Sequence, residues 1–435
     1  MARRRSNTAT SPAPQTDRGR MPAPERRSRL DVIATAVLAV AVLAVSSALW
    51  WTSDARHTKL ATAPGPAPEN RDSTNTQVPS SLTEAWRAPS PATPVPLVQG
   101  GTVITGDGGV VAGRELVSGA VRWSYRRDRP LCTVAAAFQQ AVAVYQRGDT
   151  CSEVTALAWA DGRRGPQRTG PVEAPTRLVA NGNRVVASGQ RYLEVWRSDL
   201  VRTLAYGRLP TPVQPGAQPR PDCLHGSMAL GLATGSGGAA GSGNQLALIE
   251  QCPGERVRLT VQRSTPKQPD QPEVDFSTVL SGSQARVVAL NRDRVAVALP
   301  DPARLVVLDK QGKAVAEHPL AVPDSDLRGN PSGGVVEATV TPTAVYWFTG
   351  SATVALDIVE LRPRWTRAGS LGSGSEVAGR LLLPVPGALA VVDTTTGQQV
   401  GALPVDRGDY RGPVGTASSG GVVLERRGGI LVALR

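Results

Sequence analysis

The chain has 435 residues, 40% of them hydrophobic, which is enough for one large or two medium domains. Its 45 glycines and 36 prolines, with only 4% aromatic residues, disfavour a helical protein and suit many short strands joined by turns. The net charge of +12 does not indicate nucleic-acid binding, because half of it lies in the first 29 residues and the other basic residues are scattered.

The first predicted elements are a basic tail and an apolar helix. Residues 1–29 are polar and arginine-rich, a composition that predicts a disordered tail. Residues 30–51 follow as a predicted transmembrane helix: the 20 residues from Val32 to Trp51 carry no charge and would rise about 30 Å, the thickness of a bilayer core. This length favours an uncleaved anchor over a cleavable signal peptide, whose apolar core is shorter.

The residues that flank the apolar segment give it a direction. Arginines precede it and a tryptophan pair ends it, as expected at the two membrane interfaces: Arg26, Arg27, Arg29, Trp50 and Trp51. By the positive-inside rule the tail is cytoplasmic and everything after Trp51 is extracytoplasmic. We therefore expect a single-pass protein of the cell membrane. Residues 52–82 are rich in proline and polar residues and predict an extended linker.

Residues 83–435 predict an all-β domain of repeated units. One sequence pattern recurs at 114–125, 307–318 and 391–403. It consists of an apolar pair, then a turn with an acidic residue and a glycine, then a second strand. With the apolar runs before each pattern, every unit holds four short strands in roughly 30–45 residues, which is typical of a β-propeller. Blades packed around an axis cover the sheet faces that one blade cannot bury alone. The alternative is a β-sandwich, which does not need the same hairpin at blade spacing.

The last unit lacks a strand, and an N-terminal fragment supplies one. The chain ends after three apolar runs from residue 413, whereas "TEAWRAP" stands isolated between polar segments. Its Trp86 and Arg87 match a Trp beside an Arg in the strands at 119–127 and 361–369. We therefore expect the strand 83–88 to close the ring by pairing with the C-terminal blade. Eight blades are predicted, and seven stay open because the units at 222–278 and 320–340 are irregular.

The four cysteines follow the apolar segment, so an extracytoplasmic domain would expose them to oxidising conditions. Within the repeat frame, one cysteine of each pair opens the first strand of a unit and the other closes its second strand. Neighbouring antiparallel strands bring those ends together. The predicted disulfides are Cys132–Cys151 and Cys223–Cys252.

The repeated turn also carries a family resemblance. "LVSGAVRWSY" and "VVDTTTGQQV" resemble the PQQ-binding-like β-propeller repeat, loosely over 83–435 and well over two or three units. That family includes quinoprotein dehydrogenases and non-enzymatic scaffolds. The resemblance implies that an active quinoprotein would hold PQQ against a disulfide of adjacent cysteines, with Ca²⁺ and an aspartate base. This sequence has no adjacent cysteine pair, so no PQQ site is predicted.

No catalytic, cofactor-binding or metal-binding constellation is evident. Only His225 and His318 are available as histidines in the outer domain, and neither accompanies a nucleophile motif. We expect a membrane-anchored, non-catalytic scaffold or binding module that presents one ring face to an envelope protein complex or a cell-wall component. The alternatives are a PQQ-dependent or degenerate quinoprotein oxidoreductase, and a sensor whose basic tail contacts a cytoplasmic partner.

Overall fold

The structure is a computed structural model that describes residues 28–51, 53, 56–65, 77–210, 216–232, 244–329 and 335–435. It contains two compact units, residues 1–56 and residues 57–435. The predicted disordered tail, including Arg26 and Arg27, lies outside the described residues except for its last two positions. So do residues 66–76 of the predicted linker.

The described part of the first unit is a single long helix, α1 (Arg29–Trp51). Its start is capped reciprocally: the Ser28 amide donates to the Asp31 carboxylate (2.8 Å), and the Asp31 amide donates to the Ser28 hydroxyl (3.2 Å). The helix buries none of its residues and has a mean hydropathy of 2.5, so it is long and apolar enough to cross a membrane. Trp50 and Trp51 stand exposed at its end.

The second unit is an eight-bladed β-propeller, as predicted. Two strands precede the first blade in the chain, β1 (Lys59–Ala61) and β2 (Glu84–Pro89). Seven blades then follow in order, each an antiparallel sheet of four consecutive strands. Blades 1 to 4 consist of β3 (Leu97–Gln99), β4 (Thr102–Asp107), β5 (Val110–Glu115) and β6 (Val121–Arg126); β7 (Leu131–Ala137), β8 (Gln140–Arg147), β9 (Thr150–Ala158) and β10 (Arg164–Thr169); β11 (Arg177–Ala180), β12 (Val185–Ser188), β13 (Tyr192–Trp196) and β14 (Arg202–Gly207); β15 (Leu224–Leu230), β16 (Gln245–Gln251), β17 (Arg258–Arg263) and β18 (Val274–Val279).

Blades 5 to 7 repeat this arrangement, with one short helix between the fifth and the sixth. They consist of β19 (Arg286–Leu290), β20 (Arg294–Leu299), β21 (Arg304–Asp309) and β22 (Ala314–Pro319); the helix α2 (Asp324–Leu327); β23 (Ala338–Val340), β24 (Ala344–Phe348), β25 (Ala352–Asp357) and β26 (Pro363–Ala368); and β27 (Ser375–Val377), β28 (Arg380–Val385), β29 (Ala388–Asp393) and β30 (Gln399–Pro404). First strands of several neighbouring blades contact one another, as β7 does with β11 and β15 with β19, so the first strands lie toward the axis of the ring.

Blade 8 is built from both ends of the domain. It contains β31 (Val414–Ser419), β32 (Val422–Arg427) and β33 (Ile430–Leu434), and β2 forms its outer strand. Trp86 lies opposite Ala433 in the antiparallel β2–β33 ladder, and the amides of Thr83 and Arg435 each donate to the other residue's carbonyl oxygen (2.7 and 2.9 Å). The predicted closure and the count of eight are confirmed.

The linker region differs from the expectation. Strand β1 pairs with β6 and gives blade 1 a fifth, outermost strand. Further along, Leu82 is buried and Val78 packs beside it against blades 7 and 8. The chain therefore joins the propeller before the proline-rich stretch has ended. Three residues, Lys-Leu-Ala, are too few to show the alternation by which a strand is recognised in a sequence.

The core lies between the blades. The buried hydrophobic residues of the described part form eight clusters, and each cluster joins two neighbouring blades. The cluster between blades 8 and 1 includes Val103 and Leu116 from one side and Leu424 and Leu431 from the other. The seam that closes the ring is thus packed like the other seams, because every sheet has two faces to bury.

Candidate functional site

Both predicted disulfides are present. Cys223 and Cys252 stand just before β15 and just after β16, at the neighbouring ends of two antiparallel strands, as expected. The Cys132–Cys151 bridge departs from that scheme, because Cys151 lies in the third strand of blade 2 and does not close the second. After the tight turn through Gly148, β9 begins only three residues after the last residue of β8, and Cys132 lies where the β7–β8 pairing shifts register. The disulfide therefore joins the first and third strands of blade 2 beyond the end of β8.

Trp86 connects blade 8 to blade 1. Its indole Nε1 donates to the carbonyl oxygen of Leu116 (2.9 Å), in the turn between β5 and β6. The ring covers Gly119 of the same turn, which has a φ of +71°; a Cβ there would lie 2.6 Å from the indole Cγ. Only glycine accepts both this backbone conformation and this contact. Trp86 therefore contributes side-chain docking to the closure, in addition to the pairing of its strand.

The same docking recurs between other blades. Trp123 of blade 1 covers Gly162 of blade 2, and Trp365 of blade 6 covers Gly397 of blade 7. Both indoles donate to a turn carbonyl, of Trp159 (3.0 Å) and Thr394 (3.1 Å) respectively. The sequence analysis identified the turns of Gly119 and Gly397 but not that of Gly162, and it missed the contact. Its signal is an outer-strand tryptophan in one repeat followed by a turn glycine in the next.

Where the turn glycine is absent, a leucine takes its place. Leu200 in blade 3 and Leu361 in blade 6 adopt φ angles of +58° and +54°, and both are buried. The outer strands of the blades before them, β10 and β22, contain no aromatic residue. Each leucine side chain packs in the hydrophobic cluster that joins its blade to the one before it, and this burial compensates for the unfavourable backbone conformation.

Arg87 takes no part in the seam. Its guanidinium is exposed and forms an ion pair with Glu84 three residues earlier on the same strand. An ion pair in this setting adds little to stability, because water screens it. The Trp–Arg pattern thus located the strand, but Trp86 alone makes the contact between blades.

A cavity of about 760 Å³ opens on the axis, at the end of the ring where the first strands begin. We call it the axial cavity. The described residues that line it come from most of the blades and include Pro91, Thr133, Arg177, Gln190, Leu224, Gln251, Gln284 and Arg426. Its volume is in the range of small-molecule binding sites.

Two arginines supply the charge of the axial cavity. Arg177 donates from Nη1 and Nη2 to the carbonyl oxygens of Gly226 and His225 (both 3.0 Å), so protein acceptors hold it. Arg426, on β32, has a buried Nε without a hydrogen-bond partner among the described residues, and burial lowers the pKa of its guanidinium. No aspartate or glutamate is among the described residues of the lining. The cavity is therefore electropositive.

A second cavity of about 290 Å³ shares Arg426 with the first and contains carboxylates. Burial raises the pKa of Glu337 to about 7, while hydrogen bonds from Ser373 and the charge of Arg426 oppose that rise. The carboxylate of Asp326, on α2, is occupied by the hydroxyls of Thr349 (2.6 Å) and Ser351 (2.7 Å).

His225 is a packing residue on the blade 3–blade 4 interface. It is only 6% exposed and stacks on Tyr206, with ring centroids 5.8 Å apart. Burial lowers its pKa to about 3, so the imidazole is neutral at physiological pH. No group of three or more potential metal ligands occurs among the described residues.

The residues present do not fit a PQQ site of the kind that the family resemblance implies. Cys132 lies on the wall of the axial cavity, but its partner is 19 residues away in sequence, and the other disulfide spans 29 residues. No carboxylate among the described residues faces this cavity to bind Ca²⁺ or to act as a base. We derive no chemistry through that cofactor.

The fold and these contacts define a closed eight-bladed β-propeller with disulfides in two blades, preceded in the chain by an apolar helix. No protein-family model and no curated protein matches the chain. Among solved structures, Saccharomyces cerevisiae Sqt1 is 10% identical over 81% of this chain and 97% of its own, with a TM-score of 0.51. BamB from Moraxella catarrhalis is 11% identical over 81% and 99%, with a TM-score of 0.48. The dihydro-heme d1 dehydrogenase NirN is 13% identical over 75% and 67%, with a TM-score of 0.44. At these identities the likeness extends to the propeller fold alone.

Proposed function

We propose that this chain is a membrane-anchored, extracytoplasmic binding module that acts without catalysis. One observation supports the proposed location: the same chain contains an apolar helix that follows an arginine-rich tail and a propeller with two disulfides. Arginines on one side orient such a helix with its tail in the cytoplasm. Disulfides persist in the oxidising space beyond the membrane.

The binding role rests on the axial cavity and the ring face around it. A propeller gathers loops from every blade onto one face, so a partner can be contacted by many short segments that the strands hold rigidly. The partner that we propose is an envelope protein complex or a component of the cell wall.

Two measurements test the proposal. Reporter fusions to alkaline phosphatase at residue 435 and at residue 28 should be active only at residue 435. Crosslinking in intact cells should then capture partners with the full chain, and the matched control is the anchor alone, residues 1–56. If the anchor captures the same partners, or if the C-terminal fusion is inactive, the proposal fails.

The alternative, a quinoprotein oxidoreductase, rests only on the repeat resemblance. Adding PQQ and Ca²⁺ to the purified chain distinguishes the two. Saturable PQQ binding with dye-linked dehydrogenase activity would replace our proposal, and absence of both would support it.

A further inference from the structure

The guanidinium of Arg426 lies where blade 8 meets the axial cavity, and its shielded Nε has no acceptor among the residues that the structure describes. Strand alternation explains its position. Its neighbours on β32, Glu425 and Arg427, point to the opposite face of the sheet. There they form a buried network with Arg407, whose Nη2 lies 2.7 Å from the Glu425 carboxylate. Arg426 has no carboxylate partner in the described part of the chain, and it borders both the axial cavity and the second cavity.

Arg426 is half-buried, and its Nε is shielded from water; a guanidinium nitrogen in that position without an acceptor is unfavourable, because it has lost water and gained no hydrogen bond in return. Arg177 and Arg286 begin the first strands of blades 3 and 5, and both donate to backbone carbonyl oxygens of the described chain. The Nε of Arg286 is also unpartnered, but its Nη1 and Nη2 both donate, whereas the guanidinium of Arg426 has no hydrogen-bond acceptor among the described residues and Glu337 acts on it through its charge without a hydrogen bond. An external acceptor would complete the site.

We propose that the axial cavity binds a carboxylate-bearing ligand, whose carboxylate pairs with the guanidinium of Arg426. A carboxylate matches the two parallel N–H donors of an arginine. The rest of the lining suits such a ligand, because it offers neutral amide and hydroxyl groups and apolar patches but, among the described residues, no acidic side chain that would repel it: Thr133, Thr176, Gln190, Gln251, Gln284, Leu178, Leu224 and Ile249. The volume admits a small organic acid or a few residues of an acidic chain.

This inference deepens the proposed binding role by naming the chemistry of the ligand. The two sources of a carboxylate are separated by two probes, citrate and a capped tetra-glutamate peptide, with capped tetra-glutamine as the neutral control. Titration calorimetry on the full chain in detergent measures each affinity. We expect at least one acidic probe to bind and tetra-glutamine not to bind. Citrate alone indicates a free organic acid, and the peptide alone, or tighter, indicates an acidic segment of a partner.

Variants assign the binding to the cavity. R426Q should lower the affinity for the acidic probe about 10- to 100-fold, because it removes a charge-assisted hydrogen-bonded pair. The matched control is R197Q, since Arg197 is an exposed arginine that pairs with Asp199 outside the cavity lining. The affinity of R197Q for the acidic probe should equal that of the wild type.

A second pair of variants guards against loss of folding. Leu224 lines the cavity and is 39% exposed, so L224E places a carboxylate there without disturbing the core and should abolish binding, whereas L224Q should not. The proposal is wrong if neither acidic probe binds, or if R426Q and L224E bind as the wild type does. It is also wrong if R197Q loses as much affinity as R426Q, since this indicates general charge attraction. Partner capture by crosslinking is unaffected by any of these results, so the two proposals fail separately.

Discussion

Replacing Gly119 by alanine tests the contact that seals the ring. Gly119 and Gly148 both occupy hairpin turns with positive φ, +71° and +58°. A Cβ at Gly148 meets no atom within 4 Å, whereas a Cβ at Gly119 meets the Trp86 ring at 2.6 Å. G148A therefore reports the backbone conformation alone, and G119A reports that conformation together with the contact between blades.

The expected magnitudes follow from these two terms. A left-handed backbone destabilises alanine by about 1–2 kcal/mol, which is the whole effect expected of G148A. Forcing a methyl group against a packed ring adds about 1–3 kcal/mol, so G119A should lower the free energy of unfolding by about 2–5 kcal/mol. In a W86A background the indole ring is absent. The further loss of unfolding free energy that G119A causes there should equal the loss that G148A causes.

The assay is urea unfolding of residues 57–435, which form one compact unit, followed by far-UV circular dichroism. Wild type, G119A, W86A, the double variant and G148A complete a double-mutant cycle with its control. Equal losses in G119A and G148A would refute the reasoning. So would additive losses in the double variant, because the two side chains would then not be in contact.

Three further predictions follow from other parts of the fold. A chain that starts at residue 91 lacks β2 and exposes the edge of β33, so it should aggregate on size-exclusion chromatography, whereas a chain that starts at residue 77 should elute as a monomer. Replacing both cysteines of either disulfide by alanine should lower the free energy of unfolding by about 3 kcal/mol, for loops of 19 and 29 residues, as measured in urea; no loss for either pair would contradict a stabilising role. Glu337 has a folded-state pKa of about 7, above its unfolded value of 4.5, so the folded state binds the proton more tightly and stability should fall by up to about 3 kcal/mol as pH rises from 4.5 to 7. E337Q should remove this slope in urea titrations at pH 5 and pH 8, and an equal slope in both proteins would exclude Glu337 as its source.

The architecture could be predicted because the repeat is local. An acidic residue followed by a glycine stabilises a hairpin turn through local contacts: the Asp393 carboxylate accepts the amides of Thr395 (3.1 Å) and Thr396 (3.0 Å), and Gly397 takes the positive φ. Strands of five or six residues flank such turns and alternate visibly. Once this unit is recognised, the packing of neighbouring blades follows from the need to cover both faces of each sheet.

The axial cavity could not be predicted in this way. Each blade contributes only a few residues to it, and repeats separate them in the sequence, so no motif marks the site. Arg426 stands in "LERRGG" beside Arg427, and nothing local distinguishes the two. The register of β32 decides that one joins the buried Glu425 network and the other borders the cavity. Strand β1 was missed for a related reason, since its pairing with β6 is a tertiary contact.

The ring is closed within blade 8 and not between two blades, which explains why the isolated strand β2 is needed. Strand β2 belongs to blade 8, yet the chain continues from it directly into blade 1, so the seam between these blades is crossed by covalent chain like the other seven. The non-covalent join lies inside blade 8, between β2 and β33, where a backbone ladder specifies the register. Opening the ring with β2 kept on blade 1 breaks that ladder, and opening it with β2 kept on blade 8 lifts Trp86 from Gly119. Strand pairing and side-chain docking therefore resist opening at two different surfaces, one within a blade and one between blades.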